Sequence, residues 1–316
     1  MGKENSKTED RTMKTETTQK WSLLTLKRMT GGIQRKKYLG VFCVAAIVAI
    51  AGIFYACKKD NNIRNNFSSD VKIQKSDSPY EFIGQLHNEI LETYLVALEA
   101  NPELDAMDFM CNYGEGIDRE KHKWFIEKMV EQMLQYSSLD ELFTDLEDKG
   151  IYSSNCMNIM RDIISFAIEQ PNVSMIHQFR CDIFNQYTFD EYETDLVVGS
   201  LSILEYSTIY WADENRILRW EEFRIDTNDE PIMKSCYGDF RNAINTLWCN
   251  SSFYNLIQGK DNIFSTMNDL VGSFIAINSI NCINREYIEY PDFQITGKKQ
   301  RATFVASASA EASGRM

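Results

Sequence analysis

The sequence predicts an all-α protein, a multi-helix globular bundle placed behind an N-terminal signal or transmembrane helix and a flexible tether. Three observations lead there. The 316 residues are 44% hydrophobic and 12% aromatic, enough for a sizeable buried core. Only 5 prolines and 15 glycines interrupt them, which favours long regular elements over many short strands. Beyond residue 78, apolar side chains recur at helical spacing between capping signals along most of the chain.

The first element is the run YLGVFCVAAIVAIAGIFYAC, residues 38–57, which carries no charge. As a helix it rises roughly 30 Å at ~1.5 Å per residue, the thickness of a hydrocarbon core. A soluble helix of this length keeps a polar face, and this one has none. Arg28, Arg35, Lys36 and Lys37 precede it and Lys58, Lys59 and Asp60 follow, so the positive-inside rule places residues 58–316 on the non-cytoplasmic side. Two forms of anchor remain open. Residues 1–37 are a basic N-terminal extension before a helix that stays in the membrane, or residues 1–28 are an over-extended gene start and translation begins at Met29, which gives a leader of ordinary signal length.

The end of the run, Phe54-Tyr55-Ala56-Cys57, resembles the lipobox of bacterial lipoproteins, and with the following Lys-Lys-Asp it is similar to the relaxed lipoboxes of Bacteroidota-type bacteria. Ala56 and Cys57 fit that pattern; Phe54 stands where an aliphatic residue is usual and Tyr55 where a small one is. The resemblance covers about residues 29–62 and implies lipidation of Cys57 after cleavage. Each buried acyl methylene contributes about 0.8 kcal/mol, so two or more chains anchor stably without the helix. The expected partner is therefore the membrane, through a Cys57 lipid or residues 38–57, and the expected location is the cell envelope, facing the periplasm or the cell surface.

Residues 58–77, KKDNNIRNNFSSDVKIQKSD, have no apolar period and are expected to be a flexible tether. An acidic helical domain is expected over 78–290 and a disordered tail over 291–316. The formal charge is −13, but residues 1–57 carry 10 Lys+Arg against 4 Asp+Glu, which leaves 23 against 42 beyond them, a net of −19. So acidic a domain repels phosphate backbones, which argues against nucleic acid as a partner; a protein partner remains open.

Within the domain, Ser78-Pro79-Tyr80-Glu81 is a capping signal for a helix over 79–100, with Ile83, Leu86, Ile90, Tyr94 and Leu98 on one stripe. A short helix is expected around 104–111 and a turn at Gly114 and Gly116. The next helix is capped by Asp118 and runs to about Tyr136, with Trp124, Met129, Met133 and Leu134 as core candidates. Ser138 and Glu141 form a second capping box for a helix ending near Gly150. Helices follow over 154–170 and 173–186, and Thr188 with Glu191 makes a third box, opening a helix through Trp211 that should lie near the centre. Residues 212–235 alternate charged and aromatic side chains and are expected to form a loop or short hairpin. The last helices are expected at 237–257 and 261–287.

Candidate chemistry is sparse. Cys111, Cys156, Cys181, Cys236, Cys249 and Cys282 lie beyond the anchor at wide spacings; buried thiols are favoured and disulfides remain open. His87, His122 and His177 make no HExxH pattern and are expected at the surface or its boundary. No cofactor or metal site is expected. The candidate catalytic residues are Glu205, Asp213, Glu221 and Glu222, with Glu214, beside Tyr206, Tyr210, Trp211 and Trp220, because paired carboxylates among aromatics are what a glycosidase cleft uses. Residues 200–213, SLSILEYSTIYWAD, loosely resemble uncharacterised helical proteins of the same bacterial group, which implies no activity. Three functions follow as expectations: a membrane-tethered envelope lipoprotein with an interaction or structural role, an envelope hydrolase using those carboxylates, or a secreted effector or toxin-like protein that releases the apolar helix near 261–283.

Overall fold

The computed structural model describes residues 78–104, 106–113, 119–223, 236–257, 263–286 and 297–312. The apolar run 38–57, Cys57, the tether 58–77, Asp118 and the glycine turn lie outside the described residues, as do 224–235. Among the described residues there are twelve α-helices and no strand: α1 Ile83–Ala100, α2 Ala106–Tyr113, α3 Arg119–Met133, α4 Leu139–Asp148, α5 Ser154–Ile168, α6 Val173–Gln186, α7 Glu191–Trp211, α8 Glu214–Glu221, α9 Cys236–Cys249, α10 Tyr254–Ile257, α11 Ile263–Asn284 and α12 Lys298–Ala312.

Two helices form the centre. In α7 every residue from Asp195 to Glu205 is buried, and in α11 every residue from Thr266 to Cys282. A helix apolar on all sides can satisfy that only by being surrounded. α11 packs on α7 and α12 and touches α3, α5 and α9; α1 lies against α7 and α12. Where helices cross closely, glycine makes the room: a Cβ on Gly84 of α1 would sit 2.1 Å from the Ser202 carbonyl oxygen of α7, and one on Gly272 of α11 would sit 2.5 Å from Ala312 Cβ of α12.

Several helix starts follow their capping chemistry. Ser138 accepts a hydrogen bond from the Glu141 amide at 3.2 Å, and the Glu141 carboxylate reaches back to the Ser137 amide at 2.7 Å. Gly150 at φ 65° follows α4. Ser153 and Asn172 cap α5 and α6.

Other expectations are corrected by tertiary contacts. The Ser78 signal does not start a helix at 79. Its Oγ accepts from the Tyr80 amide at 3.1 Å, Glu81 is drawn to Arg180, and Ser202 of α7 donates to the Glu81 carbonyl at 3.1 Å, so α1 begins only at Ile83. The box before α7 is Asp190 with Glu193, two residues later than Thr188 with Glu191. Glu193 also accepts from the Ser153 amide at 2.8 Å, which ties that register to the start of α5. Residues 214–221 are helix rather than loop or hairpin, with Asp213 as the cap. The expected helix over 237–257 breaks after Cys249, where Asp140 accepts from the Ser252 amide at 2.7 Å. Leu134 is 70% exposed because α3 stops at Met133.

The largest correction is at the end of the chain. Residues 298–312, expected within a disordered tail, are helix α12, and every residue from Phe304 to Ala312 is buried. The smallness that looked like tail composition is what lets α12 lie flush on α11 at Gly272.

Candidate functional site

The polar groups that the fold gathers most tightly belong to α1, α7 and α11. α11 projects Asp269 into the interior, where it is wholly buried. One carboxylate oxygen accepts from the Trp211 indole at 2.7 Å and from the Ser207 hydroxyl, both on α7; the other faces His87 Nε2 of α1 at 3.3 Å. His87 Nδ1 meets the Asn88 side-chain oxygen at 2.9 Å, and Ser309 of α12 donates to the Asp269 backbone carbonyl at 2.8 Å. Serine, histidine and aspartate thus meet, but in an order that disables nucleophilic chemistry. Ser207 is bonded to the carboxylate rather than to the imidazole, so no base is placed to take its proton, and all three side chains are shut away from solvent. What the cluster can do is fix the register of three helices, with Ser207 and Trp211 of α7 donating to one Asp269 oxygen while the other is set against His87 of α1.

A second buried pair joins α3 to α12: His122 Nε2 lies 3.2 Å from Glu311 Oε1, with the ring against Phe304 at 5.3 Å between centroids. His87 and His122, expected at the surface or its boundary, are therefore core residues. The signal was present: 83, 87, 90 and 94 follow one helical stripe, as do 122, 126, 129 and 133, so each histidine stood in line with apolar neighbours that are themselves buried. Only His177 reaches solvent, 38% exposed on its side chain, and it pairs with Glu205 at 3.1 Å.

The candidate carboxylates divide. Glu205 is buried on α7 and faces α6 through His177. Asp213 accepts from the Asn215 and Arg216 amides at 3.1 and 3.4 Å and so caps α8, and Glu214 sits in that helix's first turn. Glu221 ends α8 and Glu222 is its exposed C-cap. Asp213 and Glu222 are roughly 13 Å apart along the helix at ~1.5 Å per residue, more than the ~5–10 Å of a glycosidase pair. The aromatics are turned inward as well: Trp220 donates to the Tyr210 hydroxyl at 3.1 Å, Trp211 donates to Asp269, and both indoles are buried. Arg216 lies 4.2 Å over the Tyr210 ring and pairs with Glu92, while Arg219 pairs with Glu92 and Glu99, so α8 is clamped to α1 by charge.

Cys156, Cys181, Cys249 and Cys282 are free thiols. Burial pushes Cys156 far above the ordinary thiol range and Cys282 up to about 11, so neither forms a ready nucleophile. Among the described residues no three His, Cys, Asp or Glu side chains converge as a metal site. Comparison with protein-family models, with curated proteins and with solved structures finds no match to this chain.

Proposed function

We propose that the chain is a membrane-tethered lipoprotein of the cell envelope with an interaction or structural role, its helical domain held on the non-cytoplasmic side through a lipid on Cys57 or through residues 38–57. The observation that carries this reading is the uncharged run of residues 38–57, framed by basic residues and ending at Ala56-Cys57-Lys58-Lys59-Asp60. The domain's own geometry is compatible with such a role. The buried Asp269 and Glu311 face histidines of neighbouring helices, Asp213 caps α8, and Glu205 pairs with His177. The effector-like alternative requires α11 to leave the domain, yet α11 is its most enclosed helix, and none of the described helices is long and apolar enough to cross a membrane.

Intact-mass analysis with metabolic lipid labelling tests the anchor. Wild type is expected to incorporate acyl chains at Cys57 and to lose residues 1–56, and Cys57→Ala is expected to lose the label. An unlabelled chain that keeps residues 38–56 and stays in the membrane would instead establish the permanent helix. A full-length product freely soluble without detergent overturns both.

A further inference from the structure

His87 of α1 and Asp269 of α11 face each other with both side chains wholly buried, and the bonds around them fix where one imidazole proton lies. Asn88 Nδ2 donates to the Tyr206 carbonyl at 2.8 Å, which orients the amide with its oxygen toward the ring. That oxygen lies 2.9 Å from His87 Nδ1 and can only accept, so Nδ1 carries a proton. A neutral imidazole protonated there has a bare Nε2, and this nitrogen stands 3.3 Å from Asp269 Oδ1. Two lone pairs would then confront each other out of reach of water. Neither Nε2 nor Oδ1 has a hydrogen-bond partner among the described residues. The two orphans are each other's neighbours, and a single proton between them satisfies both. The groups packed around the pair supply no alternative. From α7, Ser207 and Trp211 donate to the other Asp269 oxygen, and from α12 Ser309 donates to its backbone carbonyl. Charged side chains of the neighbouring helices turn elsewhere: Glu205 of α7 to His177, Glu311 of α12 to His122, and Arg216 and Arg219 of α8 to Glu92 and Glu99. Among the described residues no other ionisable side chain lies within ion-pair distance of either group.

We propose that His87 and Asp269 share one proton in the folded chain, and that this proton is a latch that fastens α1 to α11 and opens as pH rises. With the proton in place, one buried hydrogen bond joins the two helices beside the contact that Ser207 and Trp211 extend to α7. Without it, both atoms are left unsatisfied in the interior, which costs far more than an ordinary hydrogen bond contributes. In an unfolded chain aspartate is ionised above ~3.9 and histidine gives up its proton near ~6.5, so between those values both states carry one proton here and the pair adds no pH dependence. Above ~6.5 only the folded chain carries it, and the pair then raises the unfolding constant by up to about tenfold per pH unit. Asp195, whose carboxyl is pushed up to about 6, acts below that window and is distinguishable by it. The latch is independent of how the chain is anchored.

Imidazole nitrogen NMR of the full-length chain in detergent, with its 3 histidines labelled and His87→Gln to assign the His87 signals, is the test, beside unfolding in urea across neutral and alkaline pH. At pH 7.5 the folded chain should show His87 with Nδ1 protonated and Nε2 hydrogen-bonded through the shared proton rather than bare. Asp269→Asn can place an amide nitrogen where Oδ1 stood. Its N–H then donates to a neutral Nε2 while its oxygen still accepts from Ser207 and Trp211, so the variant should fold with no proton to lose. Above ~6.5 the wild-type unfolding constant should therefore rise by up to about tenfold more per pH unit than that of Asp269→Asn. A bare Nε2 in the folded wild type at pH 7.5 overturns the proposal, and so does an unfolding constant with the same pH dependence in both chains. Should Asp269→Asn fail to fold, the wild-type nitrogen signals decide alone.

Discussion

α11 and α12 lie side by side, α11 buried on every face from Thr266 to Cys282 and α12 from Phe304 to Ala312, and they reach that state by different physics. α11 is filled with Met267, Leu270, Val271, Phe274, Ile275, Ile277 and Ile280, and its burial is driven by the ~1.5–3 kcal/mol that each large apolar side chain gains on leaving water. The buried stretch of α12 is mostly alanine and serine, which gain little by transfer. Its place depends on close approach at Gly272, on the Phe304 ring against Phe125 and His122, and on polar fastenings from Glu311 to His122 and from Ser309 to the Asp269 carbonyl. Hydropathy therefore predicts the first helix and misses the second, because shape and specific bonds do not register on a hydropathy scale.

The sharpest way to break this contrast is to remove a polar fastening of α12. His122→Leu leaves the Glu311 carboxylate buried without its imidazole and is expected to cost about 3–5 kcal/mol in urea unfolding, most of which His122→Leu with Glu311→Leu recovers. A buried pair that merely adds attraction would not show that recovery.

The start of α12 is expected to respond to pH through Asp195. Its carboxyl keeps a proton up to about 6 in the folded chain, whereas an unfolded aspartate releases it near ~3.9. The stabilisation this group supplies is thus complete below about pH 4 and disappears as pH rises through about 6. Asp195→Asn should raise stability at pH 7.5 by about 2–3 kcal/mol and leave it little changed at pH 4, as read from paired denaturation curves.

Close approach comes next. Gly272→Ala must push Ala312 aside and should cost about 1–3 kcal/mol, and Gly84→Ala, which meets backbone rather than a methyl group, should fall at the upper end of that range. On α11, by contrast, Ile277→Val only trims a methyl group from a well-filled core, and calorimetry should find a loss of about 1 kcal/mol.

Local chemistry made much of the rest legible. The stripe Ile83, Ile90, Tyr94, Leu98 and the cap at Ser138 need only neighbours a turn away, and the helices they announce are present. Failures cluster where a distant residue competes. Ser202 and Arg180 take over the groups that would have started α1 at residue 79, and Asp140 captures the turn after Cys249. In α8 the alternation of charge and aromatics looked like a loop or short hairpin. Arg216 and Arg219, three residues apart on one face, instead reach Glu92 and Glu99, and Trp220 turns inward.

The candidate site was legible as a list of residue types and not as an arrangement. Trp211 and Glu205 are drawn in opposite directions from the same helix, toward Asp269 and toward His177, and no spacing rule reports which way a side chain on a fully surrounded helix will find its partner. A cavity lined by Ser78, Asp195, Lys298 and Arg301 was beyond sequence reasoning for a related reason. It needs α12, whose small residues had been taken for a tail.

Native-state hydrogen exchange across residues 297–312 tests that placement most directly. Amides of Phe304 to Ala312 should be protected to within about 1–2 kcal/mol of those in the centre of α11, since both leave water only through large-scale opening. Exchange of that segment at the rate of an unstructured peptide, while α11 stays protected, would contradict it.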